Sequence, residues 1–298
     1  MDNNNYTYVL ITPARNEEAF IGQTIESVIS QTILPKKWII VSDGSTDRTD
    51  EIVTQHLAKN PWIELLRMPE HRDRHFAAKV SCFNAGYDKV KNIPYNIIGN
   101  LDADVTFDST YFEYILSRFI EDPNLGVAGT PYLERGSHSY KDSYVDIHHV
   151  HGQIQMFRRQ CYEDIGGYTP IKGGGIDWVA VTTARMKTWK TYSFQDKVFI
   201  HHRRMGTGGN SVLESQFNYG KKNYFLGSHP LWHLFRSLYQ MTKKPYVIGG
   251  LLLLAGYNWA FLTGVEKPIS NDLIKYYRKE QMDRLKELAF RTFRLDRK

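Results

Sequence analysis

Cysteine is nearly missing from this 298-residue chain. Cys82 and Cys161 stand alone, which excludes a disulfide framework and a zinc site built on paired cysteines, and both read as small buried hydrophobes in a reducing compartment. The layout of an export signal, a charged stretch followed by an apolar run, is also lacking. Residues 1–6 are polar and Asn-rich and lead straight into a strand, so the catalytic part is expected in the cytoplasm. No Gly-x-Gly-x-x-Gly follows that strand, which argues against a dinucleotide-dependent oxidoreductase. No Gly-x-Gly-Thr-Arg loop stands there either, which argues against a sugar-phosphate nucleotidyltransferase. Repeats and low-complexity tracts are absent. Charge is missing from one long run, 246–265, which is long enough to span a bilayer at about 20 residues. Gly249, Gly250, Gly256, Gly264 and Asn258 weaken that reading, and lysines flank it on both sides. A membrane segment, an interfacial helix and a packed helix all stay open.

What is present suits a full α/β core, with 42% hydrophobic residues in a length that fits one large domain and an appendage. The net charge of +6 favours anionic partners: nucleic acid, a phospholipid surface or a phosphorylated small molecule. Much of the excess lies in 275–298, as a solvated helix face or a membrane contact.

Apolar periodicity alternates between strand and helix along the first half. Strands are predicted at 6–12, 37–42, 62–67 and 95–101, and helices at 17–31, after Asp47 and at 76–90, with Asn16 capping the first helix. The nearly unbroken apolar strands suit a parallel sheet covered on both faces. Farther on, strands are expected at 125–133, 154–157 and 191–201, with a helix over 177–189, a glycine-rich loop at 206–209 and helices from 211. In such sheets the ligand site lies beyond the carboxyl ends of the strands. Three polar segments sit there: Thr12-Pro13-Ala14-Arg15-Asn16-Glu17, Ser42-Asp43-Gly44-Ser45-Thr46-Asp47 and Asp102-Ala103-Asp104.

Carboxylates at i and i+2 past a buried strand can share Mg²⁺ or Mn²⁺ with a diphosphate, or can simply form a turn that caps a helix. Asp43 can accept from a base N–H, or its segment can be a plain strand-to-helix turn.

In their order and spacing, Pro13-Ala14-Arg15-Asn16-Glu17, Asp43-Gly44-Ser45-Thr46-Asp47 and Leu101-Asp102-Ala103-Asp104 resemble glycosyltransferase family 2 over about residues 6–205. The resemblance implies an α/β GT-A fold, with a mostly parallel central sheet flanked by helices and a helical C-terminal extension. It divides the chain into a catalytic domain, 1–210, with a nucleotide-binding half at 1–105 and an acceptor half at 106–210, and an extension at 211–298. It implies nucleotide contacts at Pro13, Ala14, Arg15, Glu17, Asp43 and Asp102, and a divalent metal, Mn²⁺ or Mg²⁺, on Asp102 and Asp104. Arg74 and Lys79 fall where the family places basic residues near the nucleotide. The family's acceptor loop aligns with Gly173, Gly174, Gly175, Ile176, Asp177 and Trp178. Asp177 matches the general base, while Ile176 departs from the usual Glu, which affects acceptor contacts first; Asp177 can also be read as a helix cap. A histidine after the last core strand matches His201 or His202, and His201 is the expected third metal ligand.

The implied enzyme is an inverting transferase that moves a sugar from a nucleotide-diphosphate donor, UDP-sugar favoured, to the hydroxyl of a saccharide or lipid-linked acceptor. Its expected setting is cell-envelope polysaccharide or glycolipid synthesis at the inner face of the membrane, with peripheral contact through the C-terminal helices and no nucleic-acid partner. The rivals are a catalytically silent binding or assembly protein on the same fold and the nucleotidyltransferase.

Overall fold

The structure, a computed structural model, describes residues 6–69, 76–134, 147–203 and 211–295. It divides into two compact units, Met1–Arg204 and Met205–Lys298.

The first unit opens with the alternation that the apolar pattern predicts: β1 (Tyr8–Ala14), α1 (Ile21–Ile29), β2 (Lys37–Ser42), α2 (Thr49–Leu57), β3 (Ile63–Arg67), α3 (Phe76–Val90) and β4 (Ile97–Leu101). It continues through β5 (Val105–Thr106), α4 (Tyr111–Glu121), β6 (Leu125–Gly129), β7 (Tyr132–Glu134), β8 (Ile154–Arg158), α5 (Arg159–Asp164), α6 (Ile176–Met186), β9 (Lys190–Ser193) and β10 (Phe199–His201). The main sheet runs β3-β2-β1-β4-β8-β6-β9, and β5, β10 and β7 form a small second sheet. The first four strands are parallel, so their carboxyl ends share one edge. β8 runs antiparallel to both β4 and β6, which returns the segment before β8 to that same edge.

The core is apolar on both faces of the central strands: Leu10, Trp38, Ile40 and Met156 on one face and Val9, Ile11, Ile39 and Ile98 on the other are fully buried. Two buried amide side chains interrupt it. Asn100 and Gln155 stand directly opposite each other in the β4–β8 register, at 1% and 0% exposure. Burying two amides in such a sheet costs free energy unless both find partners, so they mark the place where the sheet serves the site rather than the core.

Three expectations are corrected. The strand expected at 125–133 is two strands in different sheets, because Pro131 lacks the N–H that a continuing ladder needs. The strand expected at 191–201 likewise divides into β9 and β10, with a turn at Gln195 and Asp196 between them. α1 starts at Ile21, and Asn16 does not cap it. With φ at 56°, Asn16 instead accepts from Thr46 N at 2.8 Å through its side-chain oxygen, which ties the first polar loop to the second.

The second unit is helical: α7 (Val212–Phe225), α8 (Pro230–Met241), α9 (Ile248–Leu262) and α10 (Asn271–Leu295). Ser211 caps α7 by accepting from Glu214 N at 3.2 Å. Gly250 and Gly256 of the uncharged run are points of close backbone contact. A Cβ on Gly256 would lie 2.0 Å from the Phe217 carbonyl oxygen of α7. Backbone cannot yield as a side-chain tip does, so Gly256→Ala is expected to destabilise this unit by about 3 kcal/mol, read as a lower urea midpoint at unchanged slope.

His233 is buried against Tyr257, with ring centroids 4.2 Å apart. Asn223 Nδ2 lies 3.3 Å from its Nδ1, and the Leu253 carbonyl lies 3.2 Å from its Nε2. A neutral ring accepts from the first and donates to the second. Burial pushes its pKa down to about 4. The unfolded chain then binds the extra proton first, so stability is full above the ordinary histidine pKa and falls as pH drops through it. Lowering the pH from 6.5 to 5 should cost about 2 kcal/mol, and His233→Gln should flatten that slope in urea titrations across pH.

Candidate active site

The carboxyl edge of β1, β2 and β4 gathers acidic and basic side chains from distant points in the chain. Pro13 and Ala14 end β1, in register with Val41 and Ser42, and Ala14 O accepts from Asp43 N at 2.8 Å. Arg15 Nη1 lies 3.6 Å from Asp43 Oδ2. Glu17 N donates to Thr49 Oγ1 at 2.7 Å, and Glu18 N to Asp47 Oδ2 at 3.0 Å, so the two loops form one knitted floor.

α3 links this floor to the Asp-x-Asp segment. Its Lys79 Nζ donates to Asp102 Oδ1 at 2.5 Å. One turn on, burial and the neighbouring Asp43 carboxylate, which the thiol hydrogen-bonds, push the Cys82 thiol far above its ordinary range. Spacing of three along a helix puts Lys79 and Cys82 on one face, and that face reaches both Asp102 and Asp43. Arg74 lies outside the described residues, as does the glycine-rich loop at 206–209.

Asp102 and Asp104 lie between β4 and the short β5. Burial raises Asp102 above the usual carboxylate range, with the Lys79 ammonium opposing that rise and the Asp104 charge adding to it. Burial would raise Asp104 too, but the hydrogen bond and charge of His201, with Arg203, hold it below its usual value. His201 Nε2 is 3.4 Å from Asp104 Oδ2. Burial would lower His201, yet the Asp104 hydrogen bond and charge prevail and raise it. His202 turns elsewhere: its Nε2 lies 2.9 Å from Thr106 Oγ1, and its ring stacks on Phe20. Of the two histidines, His201 faces the carboxylates. Arg203 completes the set, with Nη2 2.5 Å from Glu17 Oε2 and Nε 3.7 Å from Asp104 Oδ2.

Among the described residues, no three acidic, histidine or cysteine side chains enclose a cation as they stand. The donor chemistry nonetheless fits a hard divalent ion. Two carboxylates and an imidazole meet, and the His201 Nδ1 is buried with no hydrogen-bond partner. Asp102 Oδ1 is occupied by the Lys79 ammonium, which a cation would have to displace.

Asp177 joins the same edge from the other half of the unit. Gly174 and Gly175 have φ of 82° and 93°, which a side chain would resist, and they turn the chain into the first turn of α6. Asp177 and Trp178 are half-buried, and Gly173 is exposed. Ile176 points into the core at 6% exposure, so the departure from the family pattern falls on an inward-facing position. The Asp177 side chain lies against the backbone of Gly152, where an added Cβ would come within 3.1 Å of Asp177 Oδ2. Gly152 O accepts from Asn100 Nδ2 at 2.5 Å, and Asp102 N donates to Gln153 O at 2.8 Å. The segment 151–153 therefore separates Asp102 from Asp177 by one thickness of backbone. Both charges act on Tyr168, whose hydroxyl donates to Gln155 Oε1 at 2.6 Å. Buried His151 stands beside Asp177; burial, then the His149 charge, push its pKa down to about 3 against the pull of Asp177.

Asn100, Gly152, Gln155, Tyr168, Cys82 and Arg203 are the residues that motif reading missed. Asn100 was visible as a polar residue inside an apolar strand, whereas Gly152 had no sequence signal.

Residues 9–144 match the model of glycosyl transferase family 2. A poly-beta-1,6-N-acetyl-D-glucosamine synthase of Staphylococcus aureus is 31% identical over 123 residues, 41% of this chain and 28% of that protein. The chain thus spans little more than a quarter of the length of the curated relatives it matches. A mannosyltransferase from Pyrobaculum calidifontis, solved with GDP-Man and Mn²⁺, aligns with a TM-score of 0.57 at 18% identity, covering 87% of this chain and 73% of that one. S. aureus TarS residues 1–349 with UDP-GlcNAc aligns at 0.54 and 14% identity, covering 91% and 78%. These likenesses show the GT-A fold.

Proposed function

We infer that this chain, whose residues 9–144 match the glycosyl transferase family 2 model, transfers a sugar with inversion from a nucleotide-diphosphate donor to an acceptor hydroxyl. The observation that carries the reading is the placement of Asp102 and Asp177 on either side of residues 151–153, one beside the Lys79 ammonium and the other at a glycine-built helix start.

The nucleoside lies on the floor of Pro13, Ala14, Arg15 and Asp43, where a carboxylate can accept from a base N–H. Lys79, Arg15 and Arg203 supply positive charge for the diphosphate, and Glu17 holds Arg203 in place. Asp102, Asp104 and His201, whose donor set suits Mn²⁺ or Mg²⁺, would hold a divalent ion, and that ion would supply further positive charge for the leaving group. Asp177 accepts the acceptor's hydroxyl proton as that oxygen bonds to the anomeric carbon. The carbon–oxygen bond to the diphosphate breaks, and its electron pair leaves with the phosphate oxygen. A diphosphate needs no protein acid to depart, so one carboxylate base suffices.

The acceptor is a saccharide or a lipid-linked saccharide, bound across Gly173, Gly174, Gly175 and Trp178. N-acetylglucosamine polymer synthesis by the staphylococcal relative and UDP-GlcNAc on TarS support a UDP-sugar and an envelope polysaccharide or glycolipid product.

The test is a thermal-shift panel of UDP-, GDP- and dTDP-sugars with and without Mn²⁺. At 100 times its dissociation constant a ligand of the native state adds about 2.7 kcal/mol, which raises the melting point by about 5–10 °C in a domain of this size. One nucleotide should prevail, with the shift larger in Mn²⁺. No shift with any of the three would sink the reading.

A further inference from the structure

We propose that the second unit docks on an anionic lipid surface through the uncovered face of α9, with the helix lying in the plane of the interface. This goes beyond the transferase reading and does not rest on it.

The net charge of the chain conceals a division. Residues 205–298 hold 15 Lys and Arg against 7 Asp and Glu, a net +8, whereas residues 1–204 hold 23 against 25, a net −2. The whole positive excess belongs to the helical unit.

Within that unit α9 is apolar all round. Its inward side, Gly249, Gly250, Leu253, Gly256, Tyr257 and Ala260, is buried. At 100° per residue its outward side is the stripe Ile248, Leu251, Ala255, Trp259 and Leu262, interrupted by Asn258 alone, and all of these are exposed. Leu251 is 52% exposed and Leu262 81%. A solvent-facing helix normally puts charge on its outer side, and a helix without a polar face is one that something else covers. α8 adds a second uncovered stripe at Leu231, Leu234 and Leu238.

Length and charge select the occupant. The 15 residues of α9 reach about 22 Å, short of a hydrocarbon core of about 30 Å, and among the described residues no helix is long and apolar enough to cross a membrane. The helix can lie along a bilayer but cannot span it. Exposed Lys243 and Lys244 precede it, and Lys221 Nζ stands 5.4 Å over the Trp259 ring. An aromatic ring with an ammonium above it at the border of an apolar stripe suits the headgroup level, with the apolar side chains below it and the lysines against lipid phosphate. A second copy seated on the same face would bring two units of charge +8 together, which a symmetric interface here does not compensate.

The experiment is co-flotation of the full chain with vesicles of phosphatidylcholine, alone or mixed with phosphatidylglycerol. The bound fraction should be at least about tenfold greater on the anionic vesicles and should fall with salt. Leu251→Glu with Leu262→Glu should lower binding by about tenfold or more, and Lys243→Glu with Lys244→Glu should lower it on anionic vesicles only. Brominated acyl chains should quench tryptophan emission, and Trp259→Phe should remove most of that quenching. Both pairs change exposed residues, and unchanged far-UV circular dichroism and urea midpoints report that the second unit stays folded in them. Absence of flotation at low salt overturns the proposal, as does flotation that the leucine pair leaves unchanged. Self-association in sedimentation velocity that the leucine pair abolishes overturns it too, and gives the face to a second copy.

Discussion

Replacing Asp177 by Asn is expected to lower kcat by about 10³-fold and to leave the donor-induced melting shift intact. Asparagine keeps the shape of the side chain and its place at the start of α6, but it cannot take a proton. The loss therefore falls on the step in which the acceptor hydroxyl is deprotonated, while donor binding is left to Asp43, Lys79 and Asp102. Among the described residues, His151 is a base beside Asp177. Its ring is buried and its pKa is pushed down to about 3, so it neither reaches an acceptor nor holds a proton at neutral pH. Asp177 is half-buried and stands at the rim. Initial rates of sugar transfer with saturating donor measure the effect. A rate within threefold of the wild type would remove Asp177 from the reaction.

The part of this architecture that was legible in sequence is the part fixed by local physics. The helix at 76–90 and the strand at 37–42 have the predicted limits, because their apolar spacing and their flanking polar residues are both contained in the segment. The nucleotide-side motifs fall at strand ends because turn chemistry and strand periodicity can be read together. Legibility ended where a distant partner decides the outcome. Nothing in the run 191–201 says that β9 pairs with β6 while β10 joins another sheet. Nothing local says that Asn16 serves the loop of Thr46 rather than its own helix. Period-two arithmetic does not choose between His201 and His202, since the choice rests on where β5 meets β10. The glycines at 250 and 256, which weakened a bilayer span as sequence, became meaningful once the neighbouring backbones were in view.

Gly152→Ala is expected to lower kcat by about 10²-fold for a loss of about 1 kcal/mol in stability. The added methyl carbon would lie 2.8 Å from Asp177 Cβ and 3.1 Å from Asp177 Oδ2, so one of the two must move. Gly152 is the less able to do so. Its carbonyl accepts from Asn100 Nδ2 at 2.5 Å, and the same amide donates to Asp102 Oδ1 at 3.3 Å, so a backbone shift there would disturb the far side of the site as well. Asp177 is half-buried in the first turn of α6, and it is the group displaced. The rate should fall with little change in donor affinity, because the nucleotide floor has no part in this contact. A second substitution separates this account from a general weakening of the fold. If Gly152→Ala acts by misplacing the carboxylate, it has nothing left to misplace in an Asp177→Asn background, and the double variant should be no slower than Asp177→Asn alone. Additive losses in that cycle would mean that Gly152 acts on the rate by some other route.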